Sequence, residues 1–487
     1  MKIQDLLYYT FIIFLLGCTS YHQVDSKNEK LPLIYPDYID VTFPVNIAPP
    51  NFKIQEQGEA FQTEIGYGDG KADILIQDTE PMVRIPESKW SALLEKAAGN
   101  KIFFRITIKQ QGKWVRYADI QDSISVHPID SFLAYRLLYP GYELWNEMGI
   151  YQRDLTTYEQ TSIVENKNFG KQCVNCHTFN RNSAETMMIH VRGKQGGTLI
   201  CHNGEIEKVD PKPGEYKNGA TYPSWHPSGR YLAFSANEIQ QFFHSSGQKP
   251  IEVSDLAADL MIYDVKNHET FTDSLVYGEQ YMETFPTWTP DGKMIYFCRA
   301  EGYRQGMLLD SIRYDLYRIH FDEEQAKLHT LECVYEASAL HKSVSFPKIS
   351  PDGKFLMFTQ SDYGNFSIWH PESDLYLLNL NTGDVRNIAE VNSDHVDSFH
   401  SWSSTGNWFV FSSKRLDGLW ARPYFAGFDP ETGYFSKPFL LPQKDPEFYD
   451  TFTYTYNLPE LIKKPVENGD KLLKAIGQSA LQTKVKQ

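Results

Sequence analysis

Positive charge and cysteine are both scarce in this chain. Against 62 Asp and Glu stand 47 Lys and Arg, a formal net charge of −15. A chain of that sign repels phosphate, so nucleic acid is excluded as a partner. Only six cysteines occur in 487 residues. There is no second C-x-x-C, so the paired knuckles of a structural zinc site are missing. Beyond the first sixteen residues no run is apolar and long enough to span a bilayer. Aromatic residues are plentiful at 14%, as packing of β-strands favours.

Scarcity gives the one cysteine motif its weight. Residues 171–180 read KQCVNCHTFN, a C-x-x-C-H that so few cysteines and 14 histidines make improbable by chance. A thioredoxin-like redox pair needs a βαβ setting, which does not surround residue 173. Covalent haem c fits the chemistry: Cys173 and Cys176 form thioethers to the vinyl groups and His177 reaches the iron from one face. A disulfide and a lone metal site are the competing readings.

Haem c attachment requires an extracytoplasmic address, and the N-terminus, MKIQDLLYYTFIIFLLGCTS, supplies one. Lys2 precedes an apolar stretch, Leu6 to Leu16, and Leu15-Leu16-Gly17-Cys18 resembles a bacterial lipobox. Residues 1–17 are then a lipoprotein signal peptide. Cys18 is the lipidated mature N-terminus, anchoring the protein on a membrane surface rather than through it. The expected location is the bacterial outer membrane, facing the periplasm. Residues 18–33 are polar and read as a tether. Cys201, Cys298 and Cys333 lie in apolar, strand-like runs and read as buried thiols, with one disulfide open to them in an oxidising compartment.

Four stretches repeat: YPSWHPSGRYLAF from Tyr222, FPTWTPDGKMIYF from Phe285, FPKISPDGKFLMF from Phe346 and FHSWSSTGNWFVF from Phe399. Each is a strand, a turn with Gly at its left-handed position, and an apolar strand. A small hydroxyl residue, Thr221, Thr284, Ser345 or Ser398, precedes each aromatic. Thr178-Phe179 and Thr451-Phe452 extend that mark in both directions, giving starts at 179, 222, 285, 346, 399 and 452. Such periods of strand-turn-strand units indicate a β-propeller. The repeat resembles that of the TolB-type propellers over residues 178–460. The resemblance implies six blades, with five and a closing C-terminal strand as the alternative.

Residues 34–128 read as a β-rich, immunoglobulin-like domain with one helix, on which Trp90, Leu93, Leu94 and Ala97 share a face. Residues 129–177 read as a connector that carries the haem motif and packs around it, and 461–487 as a C-terminal tail. The fold class expected is therefore mainly β. A propeller following C-V-N-C-H, with YRLLYPGYELW and MMIHVRGKQGGT on either side, resembles the haem-propeller part of the hydrazine synthase catalytic subunit and related lipoproteins. That resemblance implies a haem-propeller architecture.

Several residues are candidates around the motif. Met188 and His190 are candidates for the sixth iron ligand, with core packing as the competing role. Arg181 and Arg192 suit the haem propionates, or are solvated surface arginines. With His177 set two residues before the mark at 179, Glu283, Asp397 and Asp450 fall at equivalent positions with His395 and His400 near. The expectation is an acidic, histidine-containing pocket beside the iron, weighed against carboxylates that cap turns. The functional readings are a monohaem c-type cytochrome passing electrons to a redox partner protein, a haem enzyme acting on a small molecule at the channel mouth, and a protein- or glycan-binding propeller in which haem is structural.

Overall fold

A computed structural model describes residues 21–68, 70–139, 147–212 and 220–486. Cys18 lies outside them. The molecule is mainly β, built of many small sheets. Among the described residues no helix is long and apolar enough to cross a membrane.

Six antiparallel sheets of similar design follow one another along the chain. The first runs Val174–Asn180, Ser183–Val191, Gly197–His202 and Glu205–Asp210. The next four begin with Ala220–Trp225, Tyr281–Trp288, Ser343–Ile349 and Asp397–Trp402. Their strands alternate in register across tight turns, and Gly229, Gly292, Gly353 and Gly406 take φ between 72° and 77° there, a region closed to most side chains. In the first sheet Arg181 and Asn182 occupy the left-handed positions instead. This two-residue turn contains no glycine.

The sixth sheet joins distant parts of the chain. Thr455–Ile462 pairs with Phe132–Leu138, followed by Met148–Asp154 and Gln160–Glu165. The stretch expected as a connector therefore contributes three strands. Innermost strands touch in cyclic order, the sixth returning to the first. Arg136 bridges this closure. Its guanidinium donates to Asn175 Oδ1 at 2.8 Å and to Asn457 Oδ1 at 2.7 Å.

The innermost strands share a kink, and the kink corrects the repeat register. Tyr222, Phe285, Phe346 and Leu458 have φ of 49–54° and each precedes a proline. A non-glycine side chain in this region is strained and held by its surroundings. Together with Phe399 and Cys176 they surround the axis as the six equivalent positions. The marks at 179 and 452 therefore move to Cys176 and Leu458. Thr178-Phe179 matches Ser224-Trp225 and Thr287-Trp288, three residues further along the strand, and Phe452 lies before its strand altogether. The composition C-H-T-F hid its equivalence to F-P-T-W.

After the sixth sheet the chain wraps outward. Helix Gly469–Ile476 buries Leu472, Ala475 and Ile476, and Leu481–Gln482 and Lys484–Val485 add parallel edges to the first and second sheets. The N-terminal unit holds a seven-stranded sheet, a three-stranded sheet and helix Glu87–Ala97, which buries the Trp90 face as its spacing implies. Two-residue parallel pairs at Ser26–Lys27 and Thr42–Phe43 add edges to the seven-stranded sheet. It packs on the fifth sheet through Phe43 against Phe439 and the Trp408 Nε1 bond to the His127 carbonyl at 2.9 Å.

Asn457→Leu removes an acceptor from the half-buried Arg136 at the ring closure. The expected loss is about 1.5–3 kcal/mol, the range for a hydrogen bond to a charged group, read as a lower urea midpoint at unchanged slope. A midpoint equal to the parent's contradicts a role for this bond in holding the closure.

Candidate functional site

At one end of the axis the inner strands diverge and enclose a cavity of about 1060 Å³, counting its open end. Apolar side chains make most of its wall, among them Leu138, Met148, Phe399 and Leu458. Cys173 and Cys176 both reach it. They are free thiols, and burial pushes Cys173 up to about 11 against the pull of Arg136 and Arg192. Arg136, Arg192 and Lys414 also line the space, and among the described residues no Asp or Glu does.

Two insertions roof this cavity. Strands Tyr231–Phe243 and Ile251–Asp264 run 13 and 14 residues, far longer than their counterparts, and form a projecting hairpin. Ile239, Ile251 and Val253 from it meet Phe366, Ile368 and Trp369 from the short helical turn Ser367–Trp369, in a cluster separate from the sheet cores. Lys249 pairs with Glu372 at 2.6 Å, and Tyr363 donates to Glu252. At the root of the hairpin Asp255 accepts from Asn237 (2.9 Å), Tyr314 (3.1 Å) and Asn365 (2.5 Å). Burial pushes its carboxyl up to about 7, although those donors pull it down.

Behind the cavity the ring at the kink narrows the axis. Tyr222, Phe285, Phe346 and Phe399 follow one another with centroids 4.2–4.5 Å apart. A second cavity of about 580 Å³ lies beyond, lined by His177, His400, Lys348 and Glu460. His177 occupies the position that proline holds in four of the other five inner strands. It is buried; neither ring nitrogen makes a well-aligned hydrogen bond among the described residues, though a contact with the Leu458 backbone favours the protonated ring. Burial and the Arg136 guanidinium push its pKa down to about 3, leaving a neutral imidazole. The thiols thus face the larger cavity and the imidazole faces the adjoining one, with Cys176 touching both.

The other sequence candidates fall elsewhere. Arg192 lines the thiol cavity, but Arg181 lies at the opposite mouth, where it donates to the Pro290 carbonyl at 3.0 Å. Met188 packs between the first and second sheets beside Trp225 and Leu232. His190 shares 3.0 Å with Thr198 Oγ1 and is absent from the cavity wall. Glu283 pairs with Arg299 at 2.9 Å and Asp397 with Arg415 at 2.8 Å. Asp450 accepts from Tyr35 of the N-terminal unit at 2.7 Å. These carboxylates do not converge, because with the mark at Cys176 it is Val174 that precedes it by two residues. Among the described residues no group of three or more His, Cys, Asp or Glu could hold a metal ion. Cys201 and Cys298 are buried free thiols, and Cys333 is free and exposed.

Sequence reading missed Arg136, Met148, Lys414 and Trp369. They lie on four separate segments, and only the closed ring and its roof bring them to one wall.

No family model matches this chain, and no curated protein matches it. Among solved structures, an oligogalacturonate lyase in complex with manganese is 14% identical, covering 84% of this chain and 86% of its own, at a TM-score of 0.35. Hydrazine synthase of Kuenenia stuttgartiensis is 13% identical over 52% of this chain and 76% of its own, at 0.28. A DUF4784 family protein from Bacteroides caccae is 10% identical over 74% and 95%, at 0.32.

The raised Asp255 carboxyl carries a sign. Its folded form holds a proton more tightly than the unfolded chain does. Its contribution is therefore complete below the ordinary carboxyl range and lost as pH rises through about 7. Asp255→Asn should shrink the fall in thermal midpoint between pH 5 and pH 8. An equal fall in the variant and the parent contradicts the assignment.

Proposed function

We propose that this chain is a six-bladed β-propeller that carries one covalent haem c and passes electrons to a redox partner protein. In this reading Cys18 is lipidated and anchors it to the bacterial outer membrane, facing the periplasm. The observation that carries the proposal is the pairing of two free thiols in C-x-x-C-H spacing with a large apolar cavity, next to a buried histidine whose ring nitrogens make no well-aligned hydrogen bond among the described residues. Those features suit the group: thiols to bond the vinyl carbons, apolar walls to hold the macrocycle and a neutral imidazole for the iron.

Cys173 and Cys176 would hold the group on the first blade, and Arg136 holds their strand against the closing blade. His177 would offer its imidazole. Its burial keeps it neutral and therefore able to ligate. The aromatic ring at the kink and the roof exclude water, which sets the dielectric around the site. When bound, the haem supplies a one-electron couple.

The size of the cavity favours a second reading, a haem enzyme that admits a small molecule beside the iron. Met148, whose sulfur accepts the Val174 N–H at 3.4 Å, is the methionine on the thiol cavity wall. Met188 and His190 lie in other surroundings.

The test is an optical spectrum of the mature protein from a host that matures c-type haem. It is recorded oxidised, reduced with dithionite, and then under CO. The expected result is a covalent haem signal that Cys173→Ser with Cys176→Ser abolishes. A protein without that signal contradicts the proposal. No change under CO fits electron transfer, and an immediate shift fits the enzyme.

A further inference from the structure

The thiol cavity departs from the rest of the molecule in charge. The chain carries fifteen more acids than bases, yet among the described residues three cations and no carboxylate line this space. Arg136 is committed to Asn175 and Asn457 at the closure. The other two cations are not. Among the described residues the Arg192 side chain makes no hydrogen bond or ion pair. Lys414 is 4% exposed, and its ammonium nitrogen sits 3.2 Å from the Trp369 ring centroid. The carboxylate near it in the chain, Asp417, makes no ion pair with the ammonium: its Oδ1 accepts from the backbone N–H groups of Leu419 and Trp420 at 2.8 Å each, and its charge offsets only part of the burial of Lys414.

The placement of Lys414 is held by its backbone. Its N–H donates to the Val396 carbonyl at 2.9 Å, and its own carbonyl accepts from Gly418 at 2.7 Å. The side chain is thereby directed from the fifth sheet to the underside of the roof. A buried cation without a counter-ion is costly, and an aromatic face offsets only part of that cost. Burial accordingly drives the Lys414 amine well below the usual lysine range. A carboxylate entering the cavity restores the charge and gains a charge-assisted hydrogen bond in an apolar setting.

We propose that Lys414 and Arg192 are the anion anchors of the cavity, and that its occupant is an amphipathic molecule bearing carboxylates. On entry Lys414 exchanges the Trp369 ring for a carboxylate. This deepens the haem reading, on which it rests in naming the porphyrin's two propionates as that anion. The charge pattern applies equally to another apolar carboxylate.

The experiment uses the full chain produced without haem maturation. It is titrated with metal-free mesoporphyrin IX, which has two carboxylates and no vinyl groups, and separately with its dimethyl ester. Quenching of tryptophan fluorescence reads binding. The free acid is expected to bind at least about tenfold tighter than the ester, the scale of one charge-assisted bond. Lys414→Met and Arg192→Gln should each reduce that preference, and Lys414→Arg should retain it. Equal affinity for acid and ester overturns the inference, as does an undiminished preference in both Lys414→Met and Arg192→Gln. A retained preference in a chain that acquires no covalent haem in a maturing host supports the anion anchors and overturns the haem reading alone.

Discussion

The structure depends on one pairing, Thr455–Ile462 against Phe132–Leu138. It joins segments more than three hundred residues apart and turns a row of sheets into a ring. Arg136 sits at the seam with its guanidinium shared between the first and last inner strands. The thiol cavity exists because of this closure. Its walls come from the first, second, fourth, fifth and sixth sheets, so no subset of them encloses it. Such long-range pairing is met late in folding, after the loop entropy has been overcome.

Closure also explains the chemical character of the interior. Six inner strands converge on the axis, and each kinks to deliver one side chain to the ring. Four deliver aromatics, one delivers Leu458 and one delivers Cys176. The strand that carries the cysteine motif departs from most of its siblings at the two positions closest to the axis, with Cys176 where four have an aromatic and His177 where four have a proline, the fifth sheet also placing a histidine, His400, there. A local rule broken at a convergent point is where function is expected. The cations follow the same logic. The net acidic charge keeps anions at a distance, while Arg192 and Lys414 lie inside without carboxylate partners among the described residues.

Much of the fold could be read from residues alone. Turns with Gly at a left-handed position, alternating apolar strands and the helix bearing Trp90 all declare themselves locally, because each is decided within a few residues. The first and last inner strands were harder to place. Val174–Asn180 has a cysteine and a histidine where most of its siblings have an aromatic and a proline, and its turn uses Arg181 and Asn182 in place of glycine. The nearby Thr178-Phe179 then imitates the repeat mark three residues late. The strands at 132–165 follow no repeat at all, since their inner partner lies at the far end of the chain. Within the site, Cys173, Cys176 and His177 are visible as a motif because spacing carries their chemistry. Lys414 and Trp369 are not, because ordinary residues gain meaning there only through burial and the absence of a counter-charge.

The central claim is that Cys173 and Cys176 bond a haem covalently. Mass spectrometry of the tryptic peptide Gln172–Arg181, from protein made in a host that matures c-type haem, tests it most directly. The account predicts that this peptide carries the mass of one haem and absorbs at the haem wavelengths. A peptide recovered as the free dithiol or as an internal disulfide would contradict it.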